Sequence, residues 1–125
     1  MTTILNPPEV KVILLDYLAD LVDAPVLSER PDDGVTKRFV RVIASGGPGR
    51  QNRIRQIVQV TIDSYAPTTG TADDLARAVD AAIYALPAST QPINSVPWAT
   101  TPQDYPDPDV GPRYTATYQL TVLCR

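Results

Sequence analysis

The sequence predicts an α+β domain of two layers, with two helices packed on one face of a mostly antiparallel, mixed sheet in the order α-β-β-β-α-β-β. Two observations carry this expectation. Apolar residues recur at three- and four-residue spacing in two separate segments, 10–21 and 75–86, as a half-buried helix requires. Elsewhere, Arg38 to Ser45, Arg53 to Tyr65 and Arg113 to Arg125 alternate apolar with polar residues, the period of a strand with one face in a core. Helices that flank and interrupt a run of strands form a separate layer on the sheet. At 125 residues and 43% hydrophobic, the whole chain, 1–125, fits one domain.

Asn6-Pro7-Pro8-Glu9 predicts the first helix start, with Asn6 as cap, Pro7 at the first helical position and Glu9 completing a capping-box-like pattern. Val10, Ile13, Leu14, Tyr17, Leu18 and Leu21 make its apolar face. It should stop near Asp23, because Ala24 precedes Pro25. Val26 to Arg30 reads as a short strand, and Asp32-Asp33-Gly34 as a turn. Gly46-Gly47-Pro48-Gly49 reads as a hairpin loop after the second strand. In the long strand that follows, Ile54, Val58, Val60 and Ile62 share one face, and Ile57 is an exception among Arg53, Arg55, Gln59, Thr61 and Asp63 on the other.

Thr71-Ala72-Asp73-Asp74 is expected to cap the second helix, whose buried stripe is Leu75, Ala76, Val79, Ala82, Ile83 and Leu86. Ile93 to Ala99 is a weaker strand, interrupted by Pro97. Five prolines between 97 and 112 then exclude a helix or central strand and predict a long loop. In the last strand Tyr114, Ala116, Tyr118, Leu120, Val122 and Cys124 take the apolar phase, which assigns the one cysteine to the core.

The same composition excludes most chemistry. Without histidine and with a single cysteine, the chain has no common zinc pattern, no disulfide and no nucleophile–base pair. Asp104, Asp107 and Asp109 alternate as calcium ligands do but lack the glycine and glutamate of an EF-hand loop. The glycine loop is not a phosphate-binding motif, since it leads into a strand. We therefore expect no catalytic, cofactor-binding or metal site, and no enzyme. No apolar run reaches the ~20 residues of a membrane span, and the N-terminus predicts no signal peptide.

Net charge is −3, which argues against a general nucleic-acid binder, yet seven of the eleven Lys and Arg residues fall between 30 and 55. Arg50, Arg53 and Arg55 have three readings: solvated charge, intersubunit salt bridges, or a DNA-facing surface. Guanidinium forks serve carboxylates and phosphates alike. Trp98 reads as a partly buried anchor under the proline loop or as a partner contact.

Taken together, the helix PPEVKVILLDYLADLV, the strand RFVRVIASGG, the strand ending IDSYAPT, the helix start TADDLARAV and the terminal RYTATYQLTVLCR after a Pro/Trp loop span nearly the whole chain. In this order they resemble the tail terminator proteins of long-tailed, siphovirus-type bacteriophages, especially those of actinobacterial hosts. The resemblance implies a virion protein assembled in the host cytoplasm. Its copies would form a ring, hexameric in that family, that caps the tail tube, stops tube polymerisation and offers the head-joining surface. The implied partners are further copies, the tube protein and a neck or head–tail connector protein, with DNA passing through the lumen without sequence-specific binding. Small neck and tail-completion proteins have overlapping patterns, and a DNA-binding accessory protein is the reading from another class. Candidate interface or lumen-facing residues are Arg41, Arg50, Arg53, Arg55, Trp98 and Tyr105.

Overall fold

One strand pairing organises the chain. In a computed structural model that describes residues 2–125, strand β4 (Arg55–Tyr65) lies antiparallel to β7 (Arg113–Leu123) with no break in register, from Arg55 opposite Leu123 to Tyr65 opposite Arg113. Around this pair the sheet runs β1 (Val26–Leu27), β2 (Phe39–Ala44), β4, β7 and β5 (Ile93–Ala99). Only β1 and β2 pair in parallel, so the sheet is mixed. Helices α1 (Val10–Ala19) and α2 (Thr69–Tyr84) cover one face. The fold is the expected two-layer α+β architecture, with two further two-residue strands, β3 (Gly49–Arg50) on β4 and β6 (Gln103–Asp104) on β7.

The core follows strand parity. Val40 and Val42 of β2, Val60 and Ile62 of β4, and Ala116, Tyr118, Leu120 and Val122 of β7 meet Leu14 and Leu18 of α1 and Leu75, Val79 and Ile83 of α2. Each large aliphatic chain buried this fully contributes roughly 1.5–3 kcal/mol. Two tyrosines fasten the helices: the Tyr17 hydroxyl of α1 donates to the Ala82 carbonyl of α2 at 2.7 Å, joining helix to helix, and that of Tyr118 in β7 donates to Asp80 of α2 at 2.8 Å, joining helix to sheet. Burial, with Asp80 beside it, pushes the Tyr118 phenol well above its ordinary pKa. Cys124 is buried, as its phase predicts.

Several local expectations are corrected. α1 starts at Val10 with no side-chain cap. Asn6 instead exchanges backbone hydrogen bonds with Arg125, at 3.0 and 2.9 Å, and the two prolines after it disfavour helix at the residues they follow. The helix ends at Ala19, and Leu21 is exposed where it was expected to pack. α2 begins earlier than expected, through a capping box between Thr68 and Thr71; Asp73 and Asp74 lie a turn later and pair with Arg77. The first strand is shortened to Val26–Leu27, and the last ends at Leu123.

The chain does not reverse at Gly46–Gly49. β2 and β3 lie along the same edge of β4, and these residues are an irregular step between them. The reversal is at 51–54, where the Asn52 side chain accepts the N–H groups of Ile54 and Arg55 at 2.8 and 2.9 Å. Arg53 therefore sits in a turn, before β4 rather than within it. Ile57 needs no bulge: it stays in register, opposite Gly49 on one side and Thr121 on the other.

At the step, Gly47 has φ 116°, and a Cβ there would lie 2.8 Å from the backbone nitrogen of Gln59. That nitrogen donates to the Gly46 carbonyl, so it cannot retreat without breaking a bond. Gly47→Ala is expected to destabilise the protein by roughly 1–3 kcal/mol in denaturant unfolding. Unchanged stability would contradict the close approach.

Candidate functional site

Helices occupy one face of the sheet, and the other face carries the odd-numbered side chains of β4 and β7. Its middle is low in charge. Thr61 and Thr117 share a hydroxyl hydrogen bond at 3.2 Å, and the Gln119 amide donates to Gln59 at 3.2 Å. Ile43, Ile57, Thr121 and Leu123 lie around them, each half-buried, and Trp98 of β5 is paired with Gln119. Trp98 is 49% exposed. It is not an anchor under the proline loop: β5, which runs through Pro97 with shifts in its register to β7, holds it at the edge of this open face.

The loop covers the other end of the same face. Phe39 and Tyr65 stack with centroids 4.3 Å apart, and both are fully buried on the side without helices. What seals them is Asp107, itself buried. It accepts the Tyr65 hydroxyl at 2.9 Å and Arg30 Nη1 at 3.1 Å, with Arg113 Nη1 at 3.7 Å; its other oxygen accepts the Asp109 N–H at 2.9 Å. Arg113 also reaches Asp63 at 3.9 Å and lies 4.8 Å from the Tyr105 ring centroid. Tyr105, one of the sequence candidates, is thus a platform for Arg113, with its ring largely exposed. Asp104, Asp107 and Asp109 do not converge, and among the described residues no cluster of acidic or sulfur ligands could hold a metal ion.

The hairpin tip has a different role from the one its charges suggest. Arg50 donates to the Leu5 carbonyl at 2.6 Å and Arg53 to that of Thr3 at 3.2 Å. Both guanidiniums therefore hold the extended segment before α1 against the tip, beside its bonds with Arg125. Arg55, at the start of β4, is exposed. Among the described residues it makes no salt bridge. Arg41 lies on the helix-free face at the far end of the sheet from the tip, opposite Asp63. The six sequence candidates thus fall into three places: the tip, the open middle and the sealed end. Sequence reasoning missed Arg30, Asp107 and Arg113 as a group. Their only signal was a buried-phase aromatic, Tyr65, on a polar face. A comparison with protein-family profiles found no match, and neither did a search of curated proteins.

Burial raises the pKa of the Asp107 carboxyl, but the Asp109 N–H, the Tyr65 hydroxyl and the two guanidiniums stabilise its ionised form, and the net effect is a pKa below the ordinary value. With a depressed folded-state pKa, its stabilisation is complete above the unfolded carboxyl pKa of ~3.9 and is lost as pH falls through the folded value. Asp107→Asn is expected to lose about 2 kcal/mol at pH 7 in urea unfolding. That deficit should shrink below about pH 4. A deficit independent of pH would refute the charged clasp.

Proposed function

We propose that this chain is a structural subunit of a bacteriophage virion, a tail terminator whose copies form a ring, six by the resemblance, on the end of the tail tube. The ring stops tube polymerisation and offers the surface to which the head's connector or neck protein joins, and DNA passes through its opening. The subunit works in the tail or neck of the virion after assembly in the host cytoplasm. Its partners are copies of itself, the tube protein and a connector protein.

The observation that supports this reading best is the helix-free sheet face. A surface with a threonine and glutamine centre, half-buried isoleucines and an exposed tryptophan is what a subunit gives to a neighbour, and core positions of interfaces are depleted in charge. Charge remains at the two ends, in Arg55 and in Arg41, where it fixes register more than affinity. A heterologous contact of this kind closes into a ring when its rotation permits. Among the described residues no helix is long and apolar enough to cross a membrane.

The DNA-binding alternative fits less well. Arg30 and Arg113 are ion-paired within the chain, and Arg50 and Arg53 are spent on backbone carbonyls. Few guanidiniums of the basic stretch remain for phosphates. A different neck or tail-completion position keeps the same surface argument and differs only in which partner is met.

Native mass measurement is the test. The wild-type chain, alone or mixed with tube protein, is expected to form a closed oligomer. Thr117→Lys, which puts a charge in the middle of the open face, should leave the monomer folded by its amide spectrum and abolish the oligomer. A wild-type monomer under both conditions, or an oligomer indifferent to that lysine, would count against the proposal.

A further inference from the structure

We infer that the hairpin tip of one copy docks on the opposite, acidic end of a second copy, through a contact separate from the helix-free face. Side-chain charge is divided along the strands. The tip, built from residues 2–9, 45–57 and 121–125, carries Arg50, Arg53, Arg55 and Arg125 against the single acid Glu9, a net +3. All four arginines are exposed, and among the described residues none makes a salt bridge. A carbonyl that accepts from Arg50 or Arg53 does not cancel the charge. The sealed end, built from residues 23–41 and 103–113 with Asp63, carries eight acids against five cations, a net −3. Glu29, Asp32, Asp33 and Asp104 are exposed there and make no salt bridge among the described residues.

Each end also has apolar side chains among its charges. Ile4 and Ile54 stand out of the tip, and Val35, 80% exposed, and Tyr105 stand out of the sealed end. Exposed apolar groups rimmed by charge mark a docking surface. Two tips repel each other, and so do two acidic ends, so only the head-to-tail pairing gains. Such a contact is heterologous and leaves one end of each sign free on the pair. Nucleic acid is the rival for the tip. A chain of net −3 repels a duplex at long range, whereas a second copy presents the opposite charge in matching number. The inference does not rest on the ring, because no residue of the threonine–glutamine middle takes part.

Sedimentation of the Thr117→Lys chain reads this contact alone, since that lysine is the change expected to block the helix-free face. If the face reading fails, the lysine is simply without effect and the test stands. Association is expected at about 20 mM salt and should be lost by about 0.5 M, where charges a few ångströms apart are screened. Arg55→Glu in that chain should weaken it about tenfold or more, and so should Asp32→Lys combined with Asp104→Lys. An equal mixture of the two variants should associate again, because each supplies the end that the other lacks, and that recovery also shows both to be folded. The salt and Arg55→Glu effects, measured in the unsubstituted chain as well, keep the test open if Thr117→Lys does not fold. No association at low salt, association that persists at high salt, indifference to either variant, no recovery on mixing, or tighter binding of a short DNA duplex than of a second copy would overturn the inference.

Discussion

Everything in this molecule depends on the unbroken pairing of β4 with β7. Because a strand alternates its side chains, a fixed register over the full length of both strands assigns every residue of the central sheet to one face or the other. A slip of one residue would carry Val60, Ile62, Tyr118 and Leu120 from under the helices into water and bring Gln59, Thr61 and Gln119 into the core. The apolar set is buried on one face and the threonine–glutamine set is not, so the register is strongly specified. α2 packs on this pair, and β2 and β5 extend it on either side.

The same pairing leaves the domain one-sided. Two helices suffice to cover one face, and among the described residues no third element crosses the middle of the other. The chain closes only the two ends. At one, an extended segment bonded to Arg125 and pinned by Arg50 and Arg53 finishes the hairpin tip. At the other, Asp107 draws the proline-rich loop over Phe39 and Tyr65 by satisfying a hydroxyl and two guanidiniums at once. Basic residues that looked like a surface patch are thereby largely internal fasteners. On the proposed reading, the open middle is what a neighbouring subunit covers.

The parts of this arrangement that were legible in the sequence are those encoded by periodicity. Val58, Val60 and Ile62, and Tyr118, Leu120 and Val122, announce their face by alternation alone, and the stripe from Leu75 to Ile83 announces α2, which ends at Tyr84, before Leu86. What was not legible depends on partners distant in sequence. Nothing near Asp107 indicates that Tyr65, Arg30 and Arg113 will meet there. Gly46–Gly49 has the composition of a hairpin loop, yet the reversal went to Asn52, whose side chain satisfies two N–H groups of the turn. Asn6-Pro7 has the composition of a helix start, and pairing with Arg125 overrode it. Trp98 was misplaced because the bulges of β5, which set its direction, arise from pairing with β7. The candidate arginines were grouped by sequence proximity, but a residue's chemistry could not be separated from its hydrogen-bond partners until these were known.

The central claim is that the helix-free face is covered when copies assemble, and Trp98, the one tryptophan in the chain, reports on that face alone. Its fluorescence, followed with acrylamide quenching across protein concentration and on adding tube protein, is the most direct measurement. The account predicts a solvent-exposed, readily quenched signal in the monomer that shifts to the blue and becomes protected as the oligomer forms. An assembled state in which Trp98 remains as exposed as in the monomer would contradict it.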